Sequence, residues 1–372
     1  MAPSSTPTLA ERMRRPGPKR LLALDGGGIR GLISIELLAE IEAKLRGRLQ
    51  AGSGFVLADY FDYIGGTSTG GIIAALLALG LPVSSVREFY VKQGRDMFRR
   101  PFAPWRFFRS LYRESNLSAR LRELFGADTT LGSDRLRTLL LLVMRNADTD
   151  SPWPLCNNPL AKYNERGIKN CNLDLPLWQL VRASTAAPVY FPPQSLRLGE
   201  ATFEFVDGGM TSYNNPAFLL FLMATLPPYR LCWPTGEDAL LLVSVGTGAT
   251  PRPGAARNVM TAIWSVLMDP RYAALVEQDF LCRVFGRCRV GGPIDSEVGD
   301  LRDMTAPFPK LFTYARYNAE LSREGLDALE LRDLVVRNVR RMDSVKYIQD
   351  LIRLGQAVAR RDVMAEHFDG FV

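Results

Sequence analysis

Short apolar runs that stop at glycine-rich turns recur along the chain, and they predict its architecture. Leu21-Leu22-Ala23-Leu24 ends at Asp25, and three glycines follow. From Gly31 to Leu49, the residues Leu32, Ile35, Leu38, Leu45 and Leu49 recur at helical spacing, with a break at Glu42 and a polar opposite face. The opening unit is therefore strand, glycine turn, helix. A second unit repeats it: Tyr60–Ile64 predicts a strand, Gly65–Gly71 a turn, and Ile72–Leu79 an apolar helix closed by Gly80 and Pro82. Two more strands, Phe203–Val206 and Ala239–Val245, end at Asp207-Gly208-Gly209 and Gly246-Thr247-Gly248. Strands that finish this way predict an α/β fold whose mostly parallel sheet carries helices on its faces. All four polar turns are expected on the carboxyl edge, where such folds collect their sites.

Pro251–Gly254 reads as a linker, and the chain beyond it is Arg-rich and mainly helical in pattern. There Asp343 is placed to cap a helix carrying Val345, Ile348, Ile352 and Val358 on its apolar face. The expected organisation is a flexible Pro/Ser/Arg-rich tail over 1–19, an α/β domain over 20–220, and a remaining sheet element with a helical extension over 221–372.

Composition narrows the chemistry. With 372 residues, 47% apolar and 23% charged, the chain can bury a large core. The runs Ile72–Val83 and Ala217–Leu226 are shorter than the roughly 18–20 residues of a membrane span. Leu21–Leu24 is too short for the apolar core of a signal peptide. The 5 cysteines are scattered and there is 1 histidine, so neither a disulfide framework nor a zinc site is expected. A cytoplasmic protein without metal or cofactor, at most peripheral to a membrane, fits this pattern. The net charge of +7 favours anionic surfaces. No nucleic-acid-binding signature appears, which ranks lipid headgroups above DNA.

Gly66-Thr67-Ser68-Thr69-Gly70 matches G-x-S-x-G. That pattern builds a tight strand-to-helix bend that pushes one serine hydroxyl into the open, beside the positive end of the next helix. Gly26-Gly27-Gly28-Ile29-Arg30-Gly31 also fits the dinucleotide fingerprint G-x-G-x-x-G. That reading needs an acid at a strand end about twenty residues on, and Glu40 and Glu42 fall instead within the amphipathic helix. Three side-chain-free N–H groups after a strand suit an oxyanion hole. A nucleophilic serine needs a base. His367 lies near the end of the given sequence with no turn before it, which leaves Asp207 as the carboxylate at a strand end. Taken alone, Asp207-Gly208-Gly209 is also a plain turn.

These blocks carry a resemblance. Asp25–Gly31, Gly66–Gly70 and Asp207–Gly209 resemble, in order, the signature blocks of the patatin-like phospholipase family. Ala183–Pro188 leading to Tyr190–Pro193, then Asn214-Asn215-Pro216 and Ser244–Gly248, are similar to its supporting blocks. The resemblance implies a three-layer α/β fold and metal-free hydrolysis of phospholipid or other acyl-lipid esters. It places the nucleophile at Ser68, the second dyad member at Asp207, and the oxyanion hole at the N–H groups of Gly26, Gly27 and Gly28. Arg30 takes the family's basic position, and Gly31, Gly66, Gly70, Gly208 and Gly209 are motif glycines. Two rivals stay open: a dinucleotide-dependent oxidoreductase, and a non-catalytic lipid-binding or regulatory protein on the same fold. Residues 95–122 interleave arginines with Phe98, Phe102, Trp105, Phe107, Phe108 and Tyr112, a pattern expected of a peripheral membrane contact. The same pattern also fits core aromatics beneath a solvated arginine face.

Overall fold

The computed structural model describes residues 8–98, 117–188, 191–249 and 273–372. Its strands are β1 (Lys19–Leu24), β2 (Tyr63–Thr67), β3 (Leu139–Asn146), β4 (Ser151–Cys156), β5 (Gln194–Leu198), β6 (Ala201–Asp207), β7 (Leu240–Val245), β8 (Gly286–Val290) and β9 (Phe312–Tyr317). Its helices are α1 (Leu9–Arg14), α2 (Gly31–Arg48), α3 (Leu57–Tyr60), α4 (Thr69–Ala78), α5 (Val83–Phe98), α6 (117–125), α7 (Leu177–Ser184), α8 (Ala217–Thr225), α9 (273–285), α10 (Arg323–Ala328), α11 (Val336–Arg340) and α12 (Ile348–Asp362).

One sheet runs through the described residues. Strands β3, β2, β1, β7, β9 and β8 lie side by side and parallel. Both faces are covered, so the central strands are apolar on both. In β1, Leu22 and Leu24 belong to the apolar core that also takes in α2, α4, α5, α7 and α12, whereas Leu21 and Ala23 belong to the core shared with α8 and α9. This is the expected three-layer α/β fold with a mostly parallel sheet.

The exception to parallel order matters most. β4 returns antiparallel along one edge of β3, pairing Cys156–Ser151 with Leu141–Asn146. The other edge of β3 is shared end to end. β2 occupies it up to the pair Thr67↔Val143. β6, running the opposite way, occupies it from Asn146 down to the pair Asp207↔Met144. The carboxyl ends of β2 and β6 therefore meet head-on in one lane.

Several sequence expectations change. The described part of the expected tail, 8–19, is ordered: α1 carries a Thr8/Glu11 capping box, and Lys19 donates to the carbonyls of Arg12, Met13 and Arg15. The second strand begins at Tyr63, because Leu57–Tyr60 forms a short helix first. The sheet continues past residue 250, where β8 and β9 add two strands to it. Asp343 does not cap the last helix. That helix starts at Ile348, and Asp343 pairs with Arg341 instead. Of residues 95–122, the expected membrane contact, 99–116 lie outside the described residues. In the described flank, Leu117 and Leu121 are buried and Arg122 stacks over Trp178.

Helix α12 closes the C-terminal region onto α2. At Gly355 a Cβ would lie 2.8 Å from the Cβ of Glu36 and 3.0 Å from the Cα of Ile33. Gly355→Leu is expected to cost at least about 1–3 kcal/mol by overpacking, read as a lower urea midpoint at unchanged slope. An unchanged midpoint would mean that α12 is not seated on α2.

Candidate active site

The elbow at Ser68 is built by its neighbours. The backbone of Ser68 has φ 55 and ψ −123, a conformation that residues other than glycine rarely adopt. It turns β2 sharply into α4. Such a turn works only if the chain passes very close to itself. A Cβ on Gly66 would collide with the Gly70 carbonyl, and one on Gly70 would collide with the Leu24 carbonyl. The Ser68 carbonyl accepts from the N–H groups of Gly71 and Ile72 and opens the helix. Its Oγ stands partly exposed beside that helix's N-terminus.

Asp207 comes to Ser68 because β6 meets β2 end-on. The Ser68 Oγ donates to Asp207 Oδ2 at 2.6 Å. Asp207 is 2% exposed, and its Oδ1 accepts from the Gly209 N–H at 2.7 Å. A carboxylate with one oxygen held by the backbone and the other on a hydroxyl is fixed in orientation. Gly208 is small because a Cβ there would collide with the Val143 carbonyl.

One segment holds both halves of this pair. Ser184, the last residue of α7, accepts from the Ser68 N–H at 3.0 Å and donates to the Val143 carbonyl at 2.6 Å. Two residues on, the Ala186 carbonyl accepts the Asp207 N–H at 3.0 Å. The sequence marked the block Ala183–Pro188 without assigning work to Ser184. The signal was a hydroxyl at the end of a helix whose last four residues are all buried, where a polar group needs a partner.

The glycine loop after β1 packs against this elbow. The Gly26 N–H donates to the Asn214 carbonyl, so it is already engaged. The Gly26 carbonyl accepts from Thr247 Oγ1, and the Gly28 carbonyl from Thr69 Oγ1. The Ile29 N–H donates to the Met342 carbonyl. Among the described residues, the N–H groups of Gly27 and Gly28 make no hydrogen bond. Gly28 sits at φ +62, and a Cβ on Gly27 would overlap Thr247. Of the three N–H groups expected as oxyanion donors, that of Gly26 is thus occupied by the Asn214 carbonyl. Gly31 is also tightly packed, since a Cβ there would collide with the Thr69 side chain.

Beneath the loop lies a buried ion pair. Arg316 of β9 binds both oxygens of Asp25, at 3.0 and 2.6 Å. Burial works against the Arg316 cation, but the Asp25 carboxylate outweighs it and holds the guanidinium above its usual pKa. Burial pushes the Asp25 carboxyl up, while Arg316 and, more weakly, Arg30 pull it back.

Other candidates are placed elsewhere. The Nδ1 of His367 lies 2.9 Å from the Tyr317 hydroxyl, in a half-buried C-terminal turn, and burial lowers its pKa. Its hydrogen-bond partners in that turn do not include Ser68 or Asp207. Glu40 pairs with Lys44 on the outer side of α2, and Glu42 accepts the Val83 N–H. Neither acid stands at a strand end as a ribose-binding carboxylate would. Among the described residues no group of three or more His, Cys, Asp and Glu could hold a metal ion, and no helix is long and apolar enough to cross a membrane.

Comparison with known proteins identifies the family of the chain. Potato (Solanum tuberosum) patatin group J-1 is 32% identical over 248 residues, covering 61% of this chain and 60% of patatin. Patatin-like protein 4 of Arabidopsis thaliana is 30% identical over 264 residues, covering 66% of this chain and 63% of its own. The chain therefore spans about three-fifths of the length of the curated relatives it matches. Among solved structures, VipD from Legionella pneumophila aligns over 91% of this chain and 67% of its own, with 14% identity and a TM-score of 0.36, too low a likeness to carry an argument. The family model for patatin-like phospholipase matches residues 22–221, a span that runs from β1 through the serine elbow and Asp207 into α8. The chain belongs to the patatin-like phospholipase family.

Proposed function

We propose that this protein is a lipid acyl hydrolase, of phospholipase A or lysophospholipase type, that works through a Ser68–Asp207 dyad and an acyl-enzyme. The observation that carries the reading is the 2.6 Å hydrogen bond from an outward-turned serine hydroxyl to a buried, backbone-held carboxylate. Membership of the family supports an acyl lipid as the substrate.

The chemistry follows from the positions. Asp207 Oδ2 takes the Ser68 proton as Oγ attacks the ester carbonyl carbon. The negative charge that develops on the carbonyl oxygen is met by the N–H groups of Gly27 and Gly28, with the N-terminus of α4 adding a favourable field. Collapse expels the alcohol portion of the lipid, which takes the proton from Asp207 and leaves the acyl group on Oγ. Water then attacks the acyl carbon and gives its proton to Asp207. The second collapse releases the fatty acid and returns the proton to Ser68. The loop needs little reorganisation, because the Gly26 N–H and carbonyl, the Gly28 carbonyl and the Ile29 N–H are already tied to Asn214, Thr247, Thr69 and Met342.

Ser68→Ala and Asp207→Asn are each expected to lower ester hydrolysis by about three orders of magnitude or more, with circular dichroism unchanged. A folded Ser68→Ala variant with wild-type turnover would refute the nucleophile. A wild type that turns over no ester in a broad acyl-lipid panel would favour a lipid-binding protein on this fold.

His367→Ala is expected to keep kcat within about twofold of wild type, since no proton in the cycle passes through an imidazole. A loss as deep as that of Ser68→Ala would make His367 the base instead.

Gly27→Ala would force the loop off Thr247. Loss of one oxyanion donor typically costs about 10²–10³ in kcat, and KM should change little. Unchanged kcat in the folded variant would remove the loop from the mechanism.

A further inference from the structure

The match to the family ends at residue 221, yet two groups that hold the glycine loop come from beyond residue 250. One is the backbone of Met342, whose carbonyl accepts the Ile29 N–H at 3.0 Å and lies where a Cβ on Gly28 would be. The other is Arg316. It lies in β9, two strands away from β1, directly across from Ser244 of β7. Its guanidinium passes over Ser244, donating to that hydroxyl at 2.7 Å, and ends in a two-bond fork on Asp25. Asp25, Ser244 and Arg316 are all essentially excluded from solvent.

This arrangement is costly unless it does something. A buried ion pair gains little over a well-packed apolar pair of the same size, because both charges lose their hydration. Arg316 also stands within Phe312–Tyr317, a strand whose every position is buried. Asp25 takes no part in the proposed proton transfers. It is the residue between β1 and Gly26, however, so a carboxylate clamped by two parallel hydrogen bonds fixes the direction in which the loop leaves the strand. A fork of this kind sets angle as well as distance, which a lysine ammonium does not.

We infer that Arg316 is a positioning residue for the oxyanion loop, so that the active site is completed by a C-terminal strand outside the matched family region. The inference rests on the hydrolase reading above. Arg316 touches no reacting atom. It acts through Asp25 on the N–H groups of Gly27 and Gly28, and the Met342 carbonyl holds the same loop at Ile29.

The test uses the full chain with two variants. Arg316→Lys keeps the charge and loses the fork. Asp25→Asn combined with Arg316→Met removes both charges, so that neither is left buried and alone. Each is assayed for kcat and KM on a short-chain nitrophenyl ester, and for the rate of inactivation by a fluorophosphonate, at a temperature well below its own melting point. Small displacements of catalytic groups cost up to about 100-fold in rate. A fall in kcat of about tenfold or more is therefore expected in both, matched by the inactivation rate, with KM within about threefold of wild type. If the ion pair were purely structural, these substitutions would change the melting temperature alone and leave kcat and the inactivation rate as in wild type. That outcome in either folded variant overturns the inference. Should the double variant not fold, Arg316→Lys decides. Ser68→Ala in the same assay separates the two levels. If it is inactive while Arg316→Lys keeps wild-type kcat, only the positioning role fails; if Ser68→Ala is active, the hydrolase reading itself fails.

Discussion

The structure is organised around one strained residue. Ser68 is held at φ 55, ψ −123, a backbone conformation whose cost for a side chain of this kind is on the order of 1–3 kcal/mol. Such strain persists only where the surroundings over-determine it. Here they do so through the close approach of Gly66 to Gly70, the seating of Gly70 on the end of β1, the first turn of α4, and the Ser184 hydroxyl on the Ser68 N–H. Each of these removes an alternative path for the chain. Together they leave the hydroxyl pointing out of the sheet edge with a carboxylate beside it.

The carboxylate arrives on an antiparallel strand. In a purely parallel sheet, the neighbouring strand ends would offer side chains from adjacent lanes. In this fold β6 enters from the far side and stops where β2 stops, so that Asp207 and Ser68 face each other along one edge of β3. The segment from Ser184 to Ala186 bridges the junction, holding the N–H of one partner and of the other. On the opposite side of Ser68, the glycine loop is held by groups from four places: Asn214 after β6, Thr247 after β7, Thr69 on the elbow, and Met342 near the C-terminus. The site is thus a junction of segments far apart in sequence.

That dispersion explains what could be read from the sequence. The apolar runs and glycine turns were legible because burial on both faces leaves a strand no polar positions, and because close backbone approach admits only glycine. Ser68, Asp207 and the loop glycines stood inside those local patterns. The opposite direction of β6 was not legible, since a run such as Phe203–Val206 carries no mark of its orientation. The loss of Gly26 as a free donor depends on Asn214, nearly two hundred residues away. The role of α1 was hidden by its Pro- and Arg-rich neighbours, because what orders it is Lys19 and Trp233 reaching its carbonyls. Arg316 did leave a trace, a charged residue between alanine and tyrosine in a short aromatic-rich run, but its partner was beyond any local pattern.

The central claim is that Ser68 is a nucleophile activated by Asp207. Its most direct test is mass spectrometry of the protein after brief exposure to a fluorophosphonate, which bonds covalently to an activated serine. The account predicts one adduct per chain, mapped to the peptide carrying Ser68, and formed at least about a hundredfold more slowly in a folded Asp207→Asn variant. An adduct on another residue, or labelling of Ser68 at the wild-type rate without Asp207, would contradict it.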